Sequence, residues 1–304
     1  MKLVAYLGSV PSNNKKEEKV NILKYFVQGI NPSRDQGILH QGNNLVDCDV
    51  AVIQGWVHKD SKPSSHLQLR KAIIDRQKNQ GKKVLIADSN LFLYSNNANP
   101  LHYLRYSFND VFPVNGEYFC SSVDPQRWKQ ISYDLNISLK DWKTDGKNIL
   151  ICTQRNGGWS MQGFNVVAWL EQTVTEIRKH SNRPIVVRPH PGDKNAIDYL
   201  NSKDPRWTIS SHEKITDDFA SAWAVITFNS SPGVAAAIEG IPVFVTDPLP
   251  QNSQAYDVAN IDLSSIETPK IFDRQQWVEK LAMCHWKFTE LQNGSAWEHM
   301  RKYV

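Results

Sequence analysis

One loop segment combines the two side chains best suited to holding a phosphate group. Arg188 and His190 alternate with prolines in Arg188-Pro-His190-Pro, directly after the apolar run Ile185–Val187. A guanidinium meets phosphate with a planar fork of donors, and an imidazole donates a hydrogen bond and titrates near neutral pH. The prolines stiffen the loop and so fix where the imidazole points. We therefore predict that both side chains bind the phosphate of a ligand, although a single histidine is more often structural.

A second segment predicts a helix N-terminus that binds the same kind of group. Asn229, Ser230 and Ser231 follow an apolar run, and Pro232 comes next, where a first helical turn accepts proline. Ser231 is the predicted N-cap, and the free N–H groups that follow it form an anion site. Glu239 lies about two turns further along and reaches ribose hydroxyls only if the helix is tilted across the site. The alternative is ordinary capping without a ligand.

A third segment places Arg155, Asn156 and Gly157 after the apolar run Ile149–Cys152. Glycine lets the main chain approach a ligand closely, and Arg155 is a candidate partner for a diphosphate, so these three residues are predicted to line the same site. The adjacent glycines do not form the Gly-x-Gly-x-x-Gly fingerprint, and NAD binding is therefore not indicated. A tight turn with a surface arginine is the alternative.

The elements around these loops alternate between strand and helix, which is typical of an α/β fold with parallel sheets. Short apolar runs rich in β-branched residues predict the strands Leu3–Leu7, Val50–Gln54, Val84–Ala87, Ile149–Cys152, Ile185–Val187, Ala224–Phe228 and Pro242–Val245. At about 150 residues per domain, 304 residues predict two domains. We place them at 1–140 and 141–304, on either side of a polar stretch, as two Rossmann-like domains whose sheets face a cleft. The segment 274–304 is predicted to add C-terminal helices to the second domain.

The pair His190-Pro191 and Ser230-Ser231 resembles the His-Pro and Ser/Thr motifs of bacterial sialyltransferases and of capsule-polysaccharide Kdo transferases. This resemblance covers residues 148–248 and implies a two-Rossmann-domain (GT-B type) glycosyltransferase. It implies that His190 and the serines bind the phosphate of a UDP- or CMP-linked sugar, a co-substrate, and that no cofactor is needed. The segment around Trp159 and Arg188 also resembles glycosyltransferases of tailed phages, some of which glycosylate hydroxymethylated pyrimidines in DNA. That second resemblance implies phage DNA as the acceptor.

A general base for such a transfer is expected among the aspartates of the first half. The Asp/Glu-Asp/Glu-Gly motif in which sialyltransferases place the catalytic acid is not evident there. Asp88 follows the run Val84–Ala87 and is expected to point into the cleft, whereas Asp110 lies among aromatic residues that would raise its pKa. We prefer Asp88, and the alternative for each is an ordinary cap or turn aspartate. No Asp-x-Asp-type metal motif stands out, so the transfer is predicted to be metal-independent.

The first half is the more basic one, which favours an anionic acceptor. Residues 1–140 hold 18 Lys and Arg against 12 Asp and Glu, a net charge of +6, whereas the remainder carries −2. Basic residues interleaved with aromatic ones suit contacts with a phosphate backbone and with bases. The predicted acceptor contacts are Trp56, His58, Lys59 and Arg105, and Arg70 and His66 are among the further basic residues of this half. A solvated basic surface is the alternative.

Other functions stay open beside a DNA glycosyltransferase. The acceptor is alternatively a cell-surface polysaccharide, or the protein is a nucleotide-sugar epimerase-like enzyme, which needs no acceptor, or a non-catalytic binding module. No apolar run approaches the roughly 20 residues of a membrane span, and no protein partner is indicated. The apolar N-terminus is predicted to be a strand and not a signal sequence, which predicts a cytoplasmic location, in the host if the chain is phage-encoded. The four cysteines are widely spaced and indicate neither a disulfide framework nor a metal site.

Overall fold

The computed structural model describes residues 1–11, 17–57, 64–92, 103–193, 196, 200 and 204–304, apart from the side chains of Glu18 and Trp159. The chain forms two compact units, the first made of Met1–Asn136 and Glu279–Val304, the second of Ile137–Val278. The division at 136/137 lies near the predicted boundary at 140/141, but the last residues belong to the first unit and not to the second. The first unit carries 21 Lys and Arg against 15 Asp and Glu, so the surplus of +6 stays with it.

The strands of the described residues are short, as expected for a sheet buried on both faces. In chain order they are β1 (Lys2–Tyr6), β2 (Gln36–His40), β3 (Val50–Gln54), β4 (Lys83–Asp88), β5 (Tyr103–Phe108), β6 (Asn148–Cys152), β7 (Ile185–Arg188), β8 (Thr208–Ile209), β9 (Ala222–Thr227), β10 (Val243–Val245), β11 (Ala259–Asn260) and β12 (His285–Lys287).

The helices lie between these strands and at the C-terminus. They are α1 (Glu17–Gln28), α2 (Ser65–Asn79), α3 (Pro125–Leu135), α4 (Val166–Arg178), α5 (Ile215–Ser221), α6 (Ser231–Ile238), α7 (Gln275–Ala282), α8 (Phe288–Gln292) and α9 (Ser295–Met300). Where caps are present they are local: the Asn165 side chain, for example, accepts from the first-turn N–H groups of Val167 and Ala168 at 2.9 and 3.1 Å. Within the described ranges, no helix has both the length and the apolar character needed to cross a membrane.

The sheet of the first unit has the order β2-β1-β3-β4-β5-β12. β1 to β4 are parallel, whereas β5 is antiparallel to both β4 and β12. The prediction of a parallel sheet is therefore confirmed for the first four strands, whereas the antiparallel pairing of β5 near the sheet edge was not predicted. The chain leaves β1 for β2 on one side and resumes with β3 on the other. Ligands in open α/β sheets bind beyond the carboxyl ends of the strands at such a switch point.

Asp35 joins the C-terminal helices to the N-terminal part of the first unit. Its Oδ2 accepts from Trp297 Nε1 at 2.9 Å and from Arg301 Nε at 2.8 Å. Burial alone would raise the pKa of Asp35, but the hydrogen bonds from Arg301, the Met1 amino group and Trp297 outweigh it and hold that pKa well below its usual range. Trp297 also packs edge-to-face on Phe26, with ring centroids 5.8 Å apart.

The sheet of the second unit is parallel throughout, with the order β8-β7-β6-β9-β10-β11. Numbered within the unit, this is the order 3-2-1-4-5-6 of the dinucleotide-binding fold, whose switch point lies between its first and fourth strands, here β6 and β9. The α/β fold class with two Rossmann-like sheets, predicted from the sequence, is confirmed. The loops that follow β6, β7 and β9 lie side by side at the carboxyl edge.

Candidate functional site

Two residues with amide side chains are hydrogen-bonded to each other at the switch point of the second unit. Gln154 lies two residues beyond β6, and Asn229 lies two residues beyond β9. Gln154 Nε2 donates to Asn229 Oδ1 at 3.1 Å, and the Asn229 main-chain N–H donates back to Gln154 Oε1 at 3.3 Å. Because Gln154 is only 2% exposed, these bonds are shielded from water and fix the two loops against each other.

Asp247 completes this network from the next strand. It lies two residues beyond β10, is 5% exposed, and accepts from Asn229 Nδ2 at 2.7 Å. Its Oδ2 also accepts from Gln162 Nε2 at 3.0 Å and from Asn252 Nδ2 at 3.1 Å. The side chain of Asn229 was predicted to contact the ligand, but its oxygen and nitrogen are both engaged here. Asn229 is therefore placed to shape the turn that carries the serines.

The N-terminus of α6 begins one residue earlier than predicted. Ser230, with φ −88° and ψ 165°, is the N-cap, and Ser231 is the first helical residue, so the prediction of Ser231 as N-cap is wrong by one position. The Ser230 hydroxyl makes no capping bond, and its oxygen is buried with no partner among the described residues. A buried hydroxyl left unpaired costs about 1–3 kcal/mol. A ligand oxygen at the helix N-terminus would satisfy it.

α6 packs closely on the sheet and carries Glu239 away from this edge. A Cβ on Gly233 would lie 3.2 Å from Thr227 Oγ1 and 3.3 Å from Val243 Cγ1, so any larger residue would require these neighbours to shift by a few tenths of an ångström. Glu239 is the C-cap, at the far end of the helix, and its carboxylate pairs with Lys140. At 1.5 Å per residue it lies about 14 Å from the Ser230 end. The structure does not bring Glu239 together with the serines.

The loop after β7 leaves His190 exposed and engages one of its two ring nitrogens. The Gly192 N–H donates to His190 Nδ1 at 2.9 Å, so the proton of the neutral ring is on Nε2. Nε2 makes no hydrogen bond with the described residues. Desolvation by the surrounding protein, and then the nearby positive charge of Arg155, lower the pKa of His190 despite a smaller opposing effect of Asp193. His190 is therefore a neutral N–H donor at pH 7.

The loop after β6 is a tight turn that holds Arg155 beside this histidine. The Gly158 N–H donates to the Arg155 carbonyl at 2.9 Å, and Gly157 supplies the positive φ of +68° that the turn requires. The Asn156 N–H donates to Asp193 Oδ2 at 2.8 Å, which joins the loops after β6 and β7. The Arg155 side chain is exposed and has no ion pair with the described residues. Its charge is available to an anion.

Arg188, in contrast, is engaged inside the second unit. It pairs with Asp218 of α5 and donates from Nη1 to the His212 carbonyl at 2.9 Å and from Nη2 to the Glu213 carbonyl at 2.7 Å. The Arg188 side chain is 12% exposed and that of Asp218 is 3% exposed. Its position at the end of β7 was predicted, but its contacts favour a structural role in holding the loop before α5.

The two candidate bases lie at opposite edges of the first unit's sheet. Asp88 ends β4 at the carboxyl edge, where it pairs with Arg105 of β5. Because β5 runs antiparallel to β4, the Asp110 that follows it lies at the other edge. Asp110 accepts from the Phe112 N–H at 3.0 Å and from Asn115 Nδ2 at 3.1 Å, as a loop-stabilising aspartate does.

The predicted acceptor contacts are only partly described. Trp56 follows β3 and is half-buried, whereas Arg105 is 7% exposed and paired with Asp88, so it does not present a surface charge. His58 and Lys59 lie outside the described residues. Two aspartates spaced as a metal motif, Asp47 and Asp49, do occur just before β3 and were overlooked in the sequence.

Asp47 and Asp49 are engaged at the amino edge of that sheet. Asp47 accepts from Lys82 Nζ at 3.0 Å, and Asp49 Oδ2 accepts from the Lys2 N–H at 2.7 Å. Hydrogen bonding with Lys82 holds the pKa of Asp47 below its usual value. Among the described residues, no group of three or more His, Cys, Asp or Glu is arranged to hold a metal ion.

Comparison with known proteins gives a likeness in fold. No family model and no curated protein sequence matches the chain. It is similar to the solved β-Kdo 2,4 transferase of KpsC from Thermosulfurimonas dismutans, with 11% identity and a TM-score of 0.56, over 93% of this chain and 90% of that one. The β-Kdo 2,7 transferase of the same KpsC is 12% identical, with a TM-score of 0.50, over 100% of both chains.

A UDP-GlcNAc 2-epimerase from Neisseria meningitidis, solved with UDP-GlcNAc, also aligns. It is 12% identical over 100% of this chain and 99% of that one, but its TM-score is 0.35, too low to carry an argument. The likeness to the Kdo transferases therefore shows the fold alone.

Proposed function

We propose that the protein is a glycosyltransferase that binds the phosphate of a nucleotide sugar at the carboxyl edge of the second unit's sheet. One observation carries this proposal: three neighbouring strand ends present donors with no hydrogen-bond partner among the described residues. They are the Ser230 hydroxyl, the Nε2–H of His190 and the guanidinium of Arg155. β7 and β9 flank β6, so their axes are about 10 Å apart, a span that a diphosphate and its sugar can occupy.

These donors suit a leaving group that gains negative charge. As the bond between the anomeric carbon and the phosphate oxygen breaks, the charge that develops on the nucleotide is stabilised by Arg155, by His190 and by the N-terminus of α6. The acceptor oxygen forms the new bond to the anomeric carbon and loses its proton to a base. We propose Asp88 for that role because it ends a strand at the carboxyl edge.

The charge of Arg155, the N–H of His190 and the helix dipole at the phosphate can together replace a divalent ion, so we propose a metal-independent reaction. An excess of chelator is expected to leave the transfer rate unchanged. A rate that falls with chelator and returns on adding Mg²⁺ or Mn²⁺ would contradict this part of the proposal.

We propose a hydroxymethylated pyrimidine in DNA as the acceptor, because the net charge of +6 on the first unit favours binding of a polyanion. The burial of Arg105 removes one of the contacts predicted for it. A carbohydrate acceptor is the second candidate. Transfer to hydroxymethylated DNA and to an oligosaccharide, each measured as a function of salt, separates them because DNA binding weakens steeply with salt.

The donor site is tested by thermal denaturation in the presence of UDP-, CMP- and GDP-sugars. One of them is expected to stabilise the wild type by about 2.7 kcal/mol at a hundredfold excess over Kd. Arg155→Gln is expected to lose most of that stabilisation, and Arg206→Gln, an arginine paired locally with Asp204 in the same unit, is the control that keeps it. Stabilisation by none of the nucleotide sugars would contradict the proposal. Turnover of the donor without any acceptor would instead indicate an epimerase.

A further inference from the structure

The switch point of the first unit holds a buried cation that has no carboxylate partner among the described residues. Arg70 lies on α2 and is 6% exposed. Its Nε donates to the Ser9 carbonyl, beyond β1, at 2.9 Å, and its Nη1 donates to the Trp56 carbonyl, beyond β3, at 2.9 Å. Among the described residues, Nη2 has no hydrogen-bond partner and no carboxylate lies within ion-pair distance of this guanidinium. Arg70 thus spans the two strand ends between which ligands bind in such sheets.

The main chain at Gly55 lies directly against this guanidinium. It has a φ of +80°, and a Cβ there would lie 2.9 Å from both Nη1 and Nη2 of Arg70. Only glycine combines this main-chain conformation with such an approach. The main chain at Gly55 therefore makes room for the planar end of the side chain, and no described residue uses its Nη2.

The charges around Arg70 do not cancel. The carboxylate that acts on it is Asp88, which is already paired with Arg105, so these three side chains carry two positive charges and one negative. Burial lowers the pKa of Arg70 to about 10, and the effect of Asp88 opposes this, so the guanidinium stays charged at neutral pH. A buried charge without its own counter-ion is strongly unfavourable, and the described part of the chain supplies none for Arg70, so an anionic ligand suits this position.

Two further features add positive potential at the same edge. α2 follows β3, so its N-terminus, with the positive end of the helix dipole, lies at the carboxyl edge of the sheet. His66 in the first turn of α2 has a lowered pKa, first because of burial and then because of the positive charges of Arg70 and Lys19. The edge therefore favours anions even where individual side chains are neutral.

We propose that Arg70, beside the main chain at Ser9 and at Gly55–Trp56, binds a carboxylate or phosphate group carried by the sugar that accepts the transfer. A guanidinium this deeply recessed admits a small anionic group and not the backbone of a polymer, which needs exposed cations. The role of acceptor rests on the proposed glycosyltransferase function with its second candidate acceptor, a carbohydrate, whereas binding of the anionic sugar depends on neither.

The test is calorimetric titration of the full chain, at constant ionic strength and neutral pH, with glucuronate, glucose 6-phosphate and glucose. One of the acidic sugars is expected to bind and glucose is not. Arg70→Gln is expected to lower the affinity at least about tenfold, because a charge-assisted hydrogen bond is lost. Arg70→Lys keeps the charge and should lose less. Arg76→Gln, further along the same helix, is the control and should bind like the wild type.

Equal binding by wild type and Arg70→Gln, or no binding of either acidic sugar by the wild type, would overturn the proposal. If Arg70→Gln fails to fold, the comparison of Arg70→Lys with the wild type decides, since unchanged affinity contradicts a guanidinium-specific contact. A short hydroxymethylated oligonucleotide that binds in competition with the acidic sugar, and more tightly, would also overturn it. Donor binding is titrated separately, so failure of the donor site and failure of this one are distinguishable.

Discussion

Asp247 is the centre of the polar network that shapes the candidate donor site, and its replacement by asparagine gives a quantitative test. Its Oδ2 accepts from Gln162, Asn229 and Asn252, and its Oδ1 accepts from the Leu249 N–H at 2.9 Å. The carboxylate is therefore surrounded by N–H donors on both oxygens. An asparagine of the same shape can provide an acceptor on one side only.

Asp247→Asn should therefore destabilise the protein without creating a cavity. In the better orientation, the amide oxygen faces the three side-chain donors and the amide nitrogen faces the Leu249 N–H, which places two donors against each other. Loss of one hydrogen bond to a charged group, with a buried N–H left unpaired, lowers the free energy of unfolding by about 2–4 kcal/mol. Because Asn229 also loses a charged acceptor, affinity for the nucleotide sugar should fall as well.

The free energy of unfolding is measured by urea denaturation at pH 7, with Asp257→Asn as the control because Asp257 is an exposed aspartate of the same unit. The control is expected to lie within about 0.5 kcal/mol of the wild type. If Asp247→Asn is equally close to the wild type, the network does not contribute as described, and the role assigned to Asn229 fails with it.

Three further outcomes follow from single contacts. In Gly192→Ala the new Cβ would lie 3.0 Å from Cε1 and 3.1 Å from Nδ1 of His190, so displacement of the ring should lower donor affinity about tenfold, measured by titration. Burial lowers the pKa of His285 to about 3, so between about pH 6.5 and 3 only the unfolded state binds a proton at this histidine. The free energy of unfolding should therefore fall by about 1.4 kcal/mol per pH unit as the pH drops from about 6 to 4. An equally steep fall in His285→Gln would show that His285 is not the cause. Asp35→Asn, which breaks the buried bond from Arg301, should lower that free energy by about 2–4 kcal/mol at pH 7, and a loss below about 1 kcal/mol would refute its anchoring role.

The parallel strands were predictable because burial on both faces makes their sequences continuously apolar. Val50–Gln54 was predicted with the observed bounds, and Ile185–Val187 needed one residue more. β2 was missed because its residues are half-exposed at the sheet edge. β5 was missed because Arg105 interrupts its apolar run, and a buried arginine becomes acceptable only through Asp88, a partner that no local pattern reveals.

The loops of the candidate site were likewise predictable from their position after strands, but the state of each side chain was not. Arg155 and Arg188 both stand at or just beyond the end of a strand, so the sequence pattern predicts the same role for each. Only the ion pair with Asp218 shows that Arg188 is engaged within the protein. Gln154 and Asp247 were missed. A signal was present, since Gln154, Asn229 and Asp247 each stand two residues beyond their strand. Side chains with this offset meet only if their strands are neighbours in the sheet, and the order of the strands cannot be read from the local sequence.

The central claim is that the N-terminus of α6 binds the phosphate of a nucleotide sugar, and Ser230→Ala tests it most directly. The hydroxyl of Ser230 is buried, and so is that of Thr227, which is 0% exposed beneath the same helix; within the described residues neither has a hydrogen-bond partner. Removing either unpaired hydroxyl should leave the free protein as stable as the wild type, or stabilise it by up to about 1–3 kcal/mol. Calorimetric titration with the stabilising nucleotide sugar should then separate them: Ser230→Ala loses about 10- to 150-fold in affinity, and Thr227→Val binds like the wild type. Unchanged affinity in Ser230→Ala, or an equal loss in both variants, would contradict the account.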